Sequence, residues 1–296
     1  MQTMTAKTQY QLTAGDLNLI LALVRAGKLA AASERLQQDS STVFRSLQRI
    51  ERGLGATLFH RSRTDYAAND LALKLAEQAE LIESALETAR SATQLTPEQV
   101  TGRVRLTTTD TILHGLVAPA LRPLQKQHPL LIFDLHIGNE LASLTHRDAD
   151  IALRATRKPP QHLIGRKLGP IRAALYSSKS GGYTQEDVSA GRVPWIAPDD
   201  AMPEHPSVNW RKKYYPKVQP FYRVSSIMTV MHLIADGLGV GIVPIFLAGR
   251  NDQLVQITDE LPECETELWL LTHKESRHLR RVSTAFSHLA ENVVLH

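Results

Sequence analysis

Apolar residues recur along the chain at two periods, and the change between them near residue 100 divides it. Up to that point the spacing is helical. Leu17, Ile20, Leu21 and Val24 share one face of a first helix that Gly27 ends, and Leu29, Ala32, Ser33 and Leu36 repeat the pattern. After the polar pair Gln37 and Gln38, Asp39 is placed to cap a third helix with its carboxylate. Val43, Leu47, Ile50 and Leu54 form that helix's buried stripe, and Gly55 closes it. Asn69 then opens a long helix expected to reach about Leu95, where Thr96-Pro97 stops it.

From Gly102 short apolar runs alternate with helical stretches. Strands are expected at 103–108, 130–137, 150–154, 171–177, 193–196, 221–224, 239–243 and 267–272. Helices are expected around Pro119, over 139–146, near 207–214, and over 226–236 and 279–295. Such alternation defines an α/β class with mostly parallel sheets covered by helices. Two rounds of it predict two lobes joined by crossing connections, with a hinged cleft between them. The expected domains are a head over 1–68, a linker helix and hinge over 69–101, and a body over 102–296. Within the body, the first lobe takes 102–168 and 270–296, and the second takes 169–269.

Charge changes the picture of the head. From Arg25 to Arg63 there are eight basic residues against three acidic, whereas from Thr64 to Thr96 there are two against six. A basic block followed by an acidic one suggests a polyanion-binding head on a stalk that does not touch the polyanion. On the third helix, Ser41, Arg45, Gln48 and Arg52 lie opposite the apolar stripe, with Arg49 at its edge. These are donors for phosphates and guanine edges on an element that fits the major groove of B-DNA. Two helices joined by a tight turn, the second with a basic face, make a helix-turn-helix. Phe44 sits on the flank of the wheel, where it is either additional core or a contact for a thymine methyl. Leu58 and Phe59 anchor the following turn, whose Arg61 and Arg63 are suited to phosphate as a wing.

At this point the head resembles the winged helix-turn-helix of LysR-type transcriptional regulators. The resemblance rests on Gly27-Lys28-Leu29-Ala30-Ala31-Ala32-Ser33-Glu34-Arg35-Leu36, on Ser41-Thr42-Val43-Phe44-Arg45-Ser46-Leu47, and on the stretch from Ile50 to Arg61. It implies binding of double-stranded DNA through Lys28, Ser40, Ser41, Thr42, Phe44, Arg45, Gln48, Arg49, Arg61 and Arg63. Three residues depart from the family pattern. Lys28 replaces a common serine or threonine, Ser33 a usual alanine, and Phe44 a serine or threonine on the recognition helix. On the stalk, Leu71, Leu75, Ile82 and Leu86 keep coiled-coil spacing. Such a helix either packs on its own domain or dimerises, and the family resemblance implies a dimerising linker. The family also implies a homodimer or homotetramer.

The body is similar to the effector-binding domain of the same regulators, itself similar in fold to periplasmic solute-binding proteins. The matching residues include Asp148-Ala149-Asp150-Ile151-Ala152-Leu153-Arg154, Gly165-Arg166-Lys167-Leu168-Gly169 and the run from Gly237 to Pro244. A small-molecule effector between the lobes is implied, with no cofactor. Thr107-Thr108-Thr109-Asp110, at the start of the first body helix, offers hydroxyls and free N–H groups suited to a small anion, or simply a cap. Ser225 and Ser226 occupy the matching junction of the second lobe. Arg154 ends a strand and supplies either a ligand charge or a local salt bridge. The expected effector contacts are Thr108, Thr109, Asp110, Asn139, Arg154, Ser225 and Ser226.

Other chemistry finds little support. Gly237, Gly239 and Gly241 lack the sixth-position glycine of a dinucleotide fingerprint, and Ile242 stands there instead, so they read as a tight turn. Neither a P-loop, a G-x-S-x-G elbow nor an H-E-x-x-H pair occurs in the sequence. Asp148 and Asp150 suggest a carboxylate pair, but Asp148 lies just before a strand, where turn chemistry explains it, and no catalytic or metal residue is expected. The single cysteine, Cys264, excludes an intramolecular disulfide. No segment has the roughly 20 apolar residues of a membrane helix, and Met1 to Asp16 is polar. The expectation is a soluble, cytoplasmic, non-enzymatic regulator. The competing expectation is a solute-binding-like protein without regulatory output.

Overall fold

The computed structural model of the chain describes residues 10–62, 65–92, 100–138, 149–200, 202–274 and 276–295. It divides into two compact units, one built mainly on Met1–Glu98 and the other mainly on the chain from Gln99 onward.

In the first unit α1 (Ala14–Ala26), α2 (Leu29–Leu36) and α3 (Ser40–Leu54) precede a two-stranded wing, β1 (Phe59–Arg61) and β2 (Tyr66–Ala68), and the long α4 (Asp70–Ala92). A capping box starts α1. The Asp16 N–H donates to Thr13 Oγ1 at 3.1 Å, and the Thr13 N–H donates to Asp16 Oδ2 at 3.0 Å. Asp39 takes the N-cap position of α3, but its carboxylate makes no capping hydrogen bond, contrary to the sequence expectation. Gly55 closes α3 at φ 65°, a left-handed conformation that disfavours any side chain. Ile20, Leu23, Val43, Leu47, Ile50 and Leu58 form the fully buried centre. Asn69 caps α4 as expected, its Oδ1 accepting from the Ala72 N–H at 2.9 Å. Ala72, Ala76 and Ala79 then join the same core, small residues that let α4 lie close to its neighbours. Arg25 adds ion pairs to Glu80 at 3.5 Å and Glu83 at 2.9 Å. The expected end of α4 near Leu95 lies outside the described residues.

The second unit begins with β3 (Gly102–Thr108), α5 (Asp110–Ile112), a π turn (Leu113–Val117), α6 (Ala118–Gln127), β4 (Leu131–Ile137), β5 (Ile151–Ala155) and β6 (Ile164–Ile171). The chain continues with β7 (Ala173–Ser178), α7 (Gln185–Ser189), β8 (Ile196–Pro198), α8 (Pro206–Tyr214), β9 (Tyr222–Val224) and α9 (Ile227–Ala235). It ends with β10 (Gly241–Pro244), α10 (Ile245–Ala248), β11 (Leu254–Gln256), β12 (Thr266–Thr272) and α11 (Arg280–Asn292). The helix expected over 139–146 lies outside the described residues. The π segment interrupts what the leucine spacing presents as one helix.

The sheets are less parallel than expected. In the five-stranded sheet, ordered β4-β3-β5-β12-β6, only the β3–β4 and β3–β5 pairs are parallel. β12 runs antiparallel to both β5 and β6, and in the second lobe β7 is antiparallel to β10 and β11. Parallel neighbours need a covering crossover. β6 instead carries the chain out to the second lobe, and β12 brings it back, which allows direct antiparallel pairing. Both strands run through the expected lobe breaks at 168/169 and 269/270, so the chain crosses near Arg172 and Glu265. Trp195, Leu175, Val188 and Val240 lie in the second lobe's core. The glycine turn there is structural, as expected. Gly239 has φ 153°, and a Cβ on it would meet the Pro194 carbonyl oxygen at 2.2 Å.

Candidate functional site

The outer face of α3 presents the residues that helical geometry assigned to it. Ser40, Ser41, Thr42 and Arg45 are exposed, Gln48 is half-buried, and Lys28 stands exposed before α2 without capping it. Arg49 has a task the sequence did not show. It donates to Asp16 Oδ1 at 2.6 Å, while 63% of its own side chain stays exposed. Burial pushes the Asp16 carboxyl pKa up. Hydrogen bonds from Thr13 and Tyr10 and the Arg49 charge outweigh it and hold the carboxyl below its ordinary range. The pair ties the recognition helix to the start of α1.

Arg61 is likewise built into the head. It forms an ion pair with Glu51, whose carboxylate also accepts from the Leu58 N–H at 2.8 Å. Its guanidinium lies 5.2 Å from the centroid of the Phe44 ring and 5.9 Å from that of Tyr66. Arg63 lies outside the described residues. On α4, Leu71 and Leu86 are exposed and Ile82 is half-buried, but Leu75 packs against the head's own core. The expected seam is therefore divided. Leu75 serves this chain's interior, because it lies one turn from Ala72 and Ala79 on the face of α4 that meets the core.

In the second unit a cavity of about 840 Å³ lies between the lobes. Thr109, Asp110 and Arg154 line it from the first lobe, and His205, Trp210 and Phe246 from the second. Thr109 acts as a cap, its Oγ1 accepting from the Ile112 N–H at 3.3 Å. Ser226 caps α9 by accepting from the Thr229 N–H at 3.2 Å, and its hydroxyl donates to Asp110 Oδ2. Two expected ligand contacts thus bond to each other across the lobes. Thr108 is buried away from the cavity lining, and its hydroxyl has no partner among the described residues. Ser225 is exposed and does not line the cavity, and Asn139 lies outside the described residues.

Arg154 is 3% exposed and donates to Thr107 Oγ1 at 2.6 Å and to the Gly138 carbonyl. Burial pushes its pKa down to about 10, which leaves it charged at neutral pH. Burial also pushes His205 down to about 4. A neutral ring suits its position, since Nδ1 accepts from the Ser207 N–H at 3.3 Å at the start of α8. Cys264 lines the cavity too, with burial raising its pKa to about 12, so its thiol stays protonated and unreactive. Sequence reasoning missed His205, Trp210, Lys213 and Phe246. The one available signal was that Trp210 and Lys213 stand one turn apart on a helix already foreseen.

A winged helix-turn-helix head and a two-lobed α/β body with a cleft define a ligand-responsive DNA-binding protein as a class. The family model described as "LysR substrate binding domain" matches residues 97–293, and "Bacterial regulatory helix-turn-helix protein, lysR family" matches residues 15–73. The chain belongs to the LysR family of transcriptional regulators. The alternative of a solute-binding protein without regulatory output is set aside by the matched head. An HTH-type transcriptional regulator of Xanthomonas campestris pv. campestris (strain 8004) is 32% identical over 168 residues, 56% of this chain and 49% of that protein. This match spans about half the relative's length. The Mau operon transcriptional activator of Paracoccus denitrificans is 27% identical over 267 residues, 90% of each chain. The full-length OxyR structure from Pseudomonas aeruginosa shares the fold. Its TM-score is 0.67 at 15% identity, over 97% of this chain and 100% of that one.

Proposed function

We propose that this protein is a sequence-specific regulator that binds double-stranded DNA and is controlled by a small molecule held between the two lobes of its body. It works in the cytoplasm as a homodimer or homotetramer, without a cofactor or catalytic step. Lys28, Ser40, Ser41, Thr42, Arg45 and Gln48 touch DNA from α2 and α3, joined by Arg49 and Arg63. Leu71, Ile82 and Leu86 meet a second copy. The observation that carries the reading is a cavity walled by both lobes and bridged by the Asp110–Ser226 hydrogen bond. A ligand that binds one lobe arrangement better than another shifts their equilibrium by that difference in affinity.

The cavity lining favours an anion with an apolar body. Trp210, Phe246, Ile227 and Ile242 supply apolar surface, and Arg154 and Lys158 supply positive charge. The Asp110 carboxylate repels an anion, so the charged end belongs nearer Arg154. A thermal-shift panel of aromatic and aliphatic carboxylates beside their neutral amides tests this. Carboxylates are expected to raise the melting temperature and change DNA retention in a shift assay, with amides inert. Stabilisation by amides alone would overturn the ligand class, and no DNA retention under any condition would overturn the regulator.

A further inference from the structure

Phe44 stands on the flank of α3, one turn from Ser41 and Gln48 and next to Arg45 on its polar side, with buried Leu47 one turn away on the other. It is half-buried. Yet it belongs neither to the buried core of the head nor to the partly buried residues packed on that core, among them Leu36, Leu54 and Tyr66. The ring is held instead by the guanidinium of Arg61, 5.2 Å from its centroid, and Arg61 is fixed by Glu51. A phenyl group that is left partly in water contributes little to folding, since the gain follows the apolar area removed from solvent. Being already pinned, it loses little rotamer freedom when a partner covers it. In the major groove the apolar group that a base pair offers is the thymine 5-methyl, and phenylalanine is one of the side chains that contact it.

We propose that Phe44 is a specificity-determining residue of this protein, its ring reading a thymine methyl among the polar contacts made by the rest of the α3 face. The proposal rests on the DNA-binding reading of that face.

Uracil differs from thymine only by that methyl. Sites are selected from a random duplex pool with the full-length protein, and each thymine of the best site is replaced singly by uracil. Wild-type protein is expected to lose about fourfold in affinity at one thymine per half-site, the equivalent of roughly 0.8 kcal/mol for one buried carbon group. Phe44→Ser is expected to bind thymine and uracil sites equally, whereas Phe44→Leu, still apolar, keeps a preference for thymine. The readout is the ratio between the two sites, so a variant with weaker overall binding still reports. Indifference of the wild type to uracil at every position would overturn the proposal. So would an unchanged ratio in Phe44→Ser, or a Phe44→Ser head that no longer folds, since the ring would then be core. A selection that enriches no sequence would remove the DNA-binding reading itself, and the proposal with it.

Discussion

The recognition face and the interlobe cavity hold polar residues in opposite conditions. On α3 the candidate donors come from one helix and mostly stand in water, so one periodicity places them all. Around the cavity, the polar groups come from the ends of several strands and helices, and two that line it, Arg154 and Asp110, are already bonded to residues just outside the lining. Arg154 holds Thr107, and Ser226 holds Asp110. A rigid, repetitive partner such as DNA can be met by a single surface, whereas a small molecule must be enclosed. Enclosure requires convergence of distant segments, and a free state that keeps those groups satisfied.

The contrast is broken most forcefully within α3. Ile50 is fully buried, and Ile50→Ala is expected to destabilise the head by about 2–5 kcal/mol through a cavity. Arg45, on the opposite face, is exposed. Arg45→Ala should leave the melting temperature unchanged while weakening its preferred DNA by about 1–3 kcal/mol if it reads a base. Thermal unfolding beside shift assays separates the two. A fall in stability in Arg45→Ala would mean that the recognition face is also structural, as it is at Arg49.

In the cavity, the equivalent test is Asp110→Ala. A hydrogen bond to a charged group contributes about 1.5–3 kcal/mol. Its loss should lower the melting temperature of the body and widen the distance between spin labels placed one on each lobe. Unchanged distances would show that the Asp110–Ser226 bond does not hold the lobes.

What the sequence made legible follows the same division. The head was readable because Val43, Leu47 and Ile50 mark a stripe and the polar face follows by rotation. The Arg49–Asp16 pair was not, because it links residues 33 apart. The alternation of strands foretold two lobes. It did not foretell antiparallel β12, since strand direction in a sheet depends on where the chain crosses and not on local pattern. The threonine-rich turn was rightly placed at a helix start. Ser226, 116 residues away, was legible as the matching junction of the second lobe, whereas its hydrogen bond to Asp110 was not.

Acid should sharpen the comparison, acting on the body through His205. Its folded pKa of about 4 lies below the ordinary 6.5 because burial disfavours the charged ring. Above pH 6.5 neither state gains a proton there, and the contribution to stability is complete. As pH falls from 6.5 toward about 4, the unfolded chain takes the proton first and stability declines. His205→Asn keeps an acceptor for the start of α8 and does not titrate. The urea midpoint of the body against pH is expected to flatten in that variant, and an unaltered slope would assign the acid sensitivity to other groups.

The smallest effect on stability is expected at Thr108, and it is the most informative about the cavity. Its hydroxyl is buried without a partner among the described residues, on a residue that is 1% exposed. Valine has nearly the same shape, and removing an unsatisfied buried hydroxyl costs no hydrogen bond and relieves some desolvation. Thr108→Val should therefore melt at the same temperature as the parent or slightly above it. Thr109→Val, which removes the cap on Ile112, should be destabilised by about 0.5–2 kcal/mol and melt lower. The two threonines are adjacent, so their divergence isolates hydrogen bonding from position. Adding an anionic effector to both decides what the unpaired hydroxyl is for. If movement of the lobes brings a ligand to Thr108, the valine variant will be stable and deaf to it. If both variants respond like the parent, the hydroxyl serves neither cap nor ligand, and recognition belongs to other residues of the lining, Arg154 and Trp210 among them.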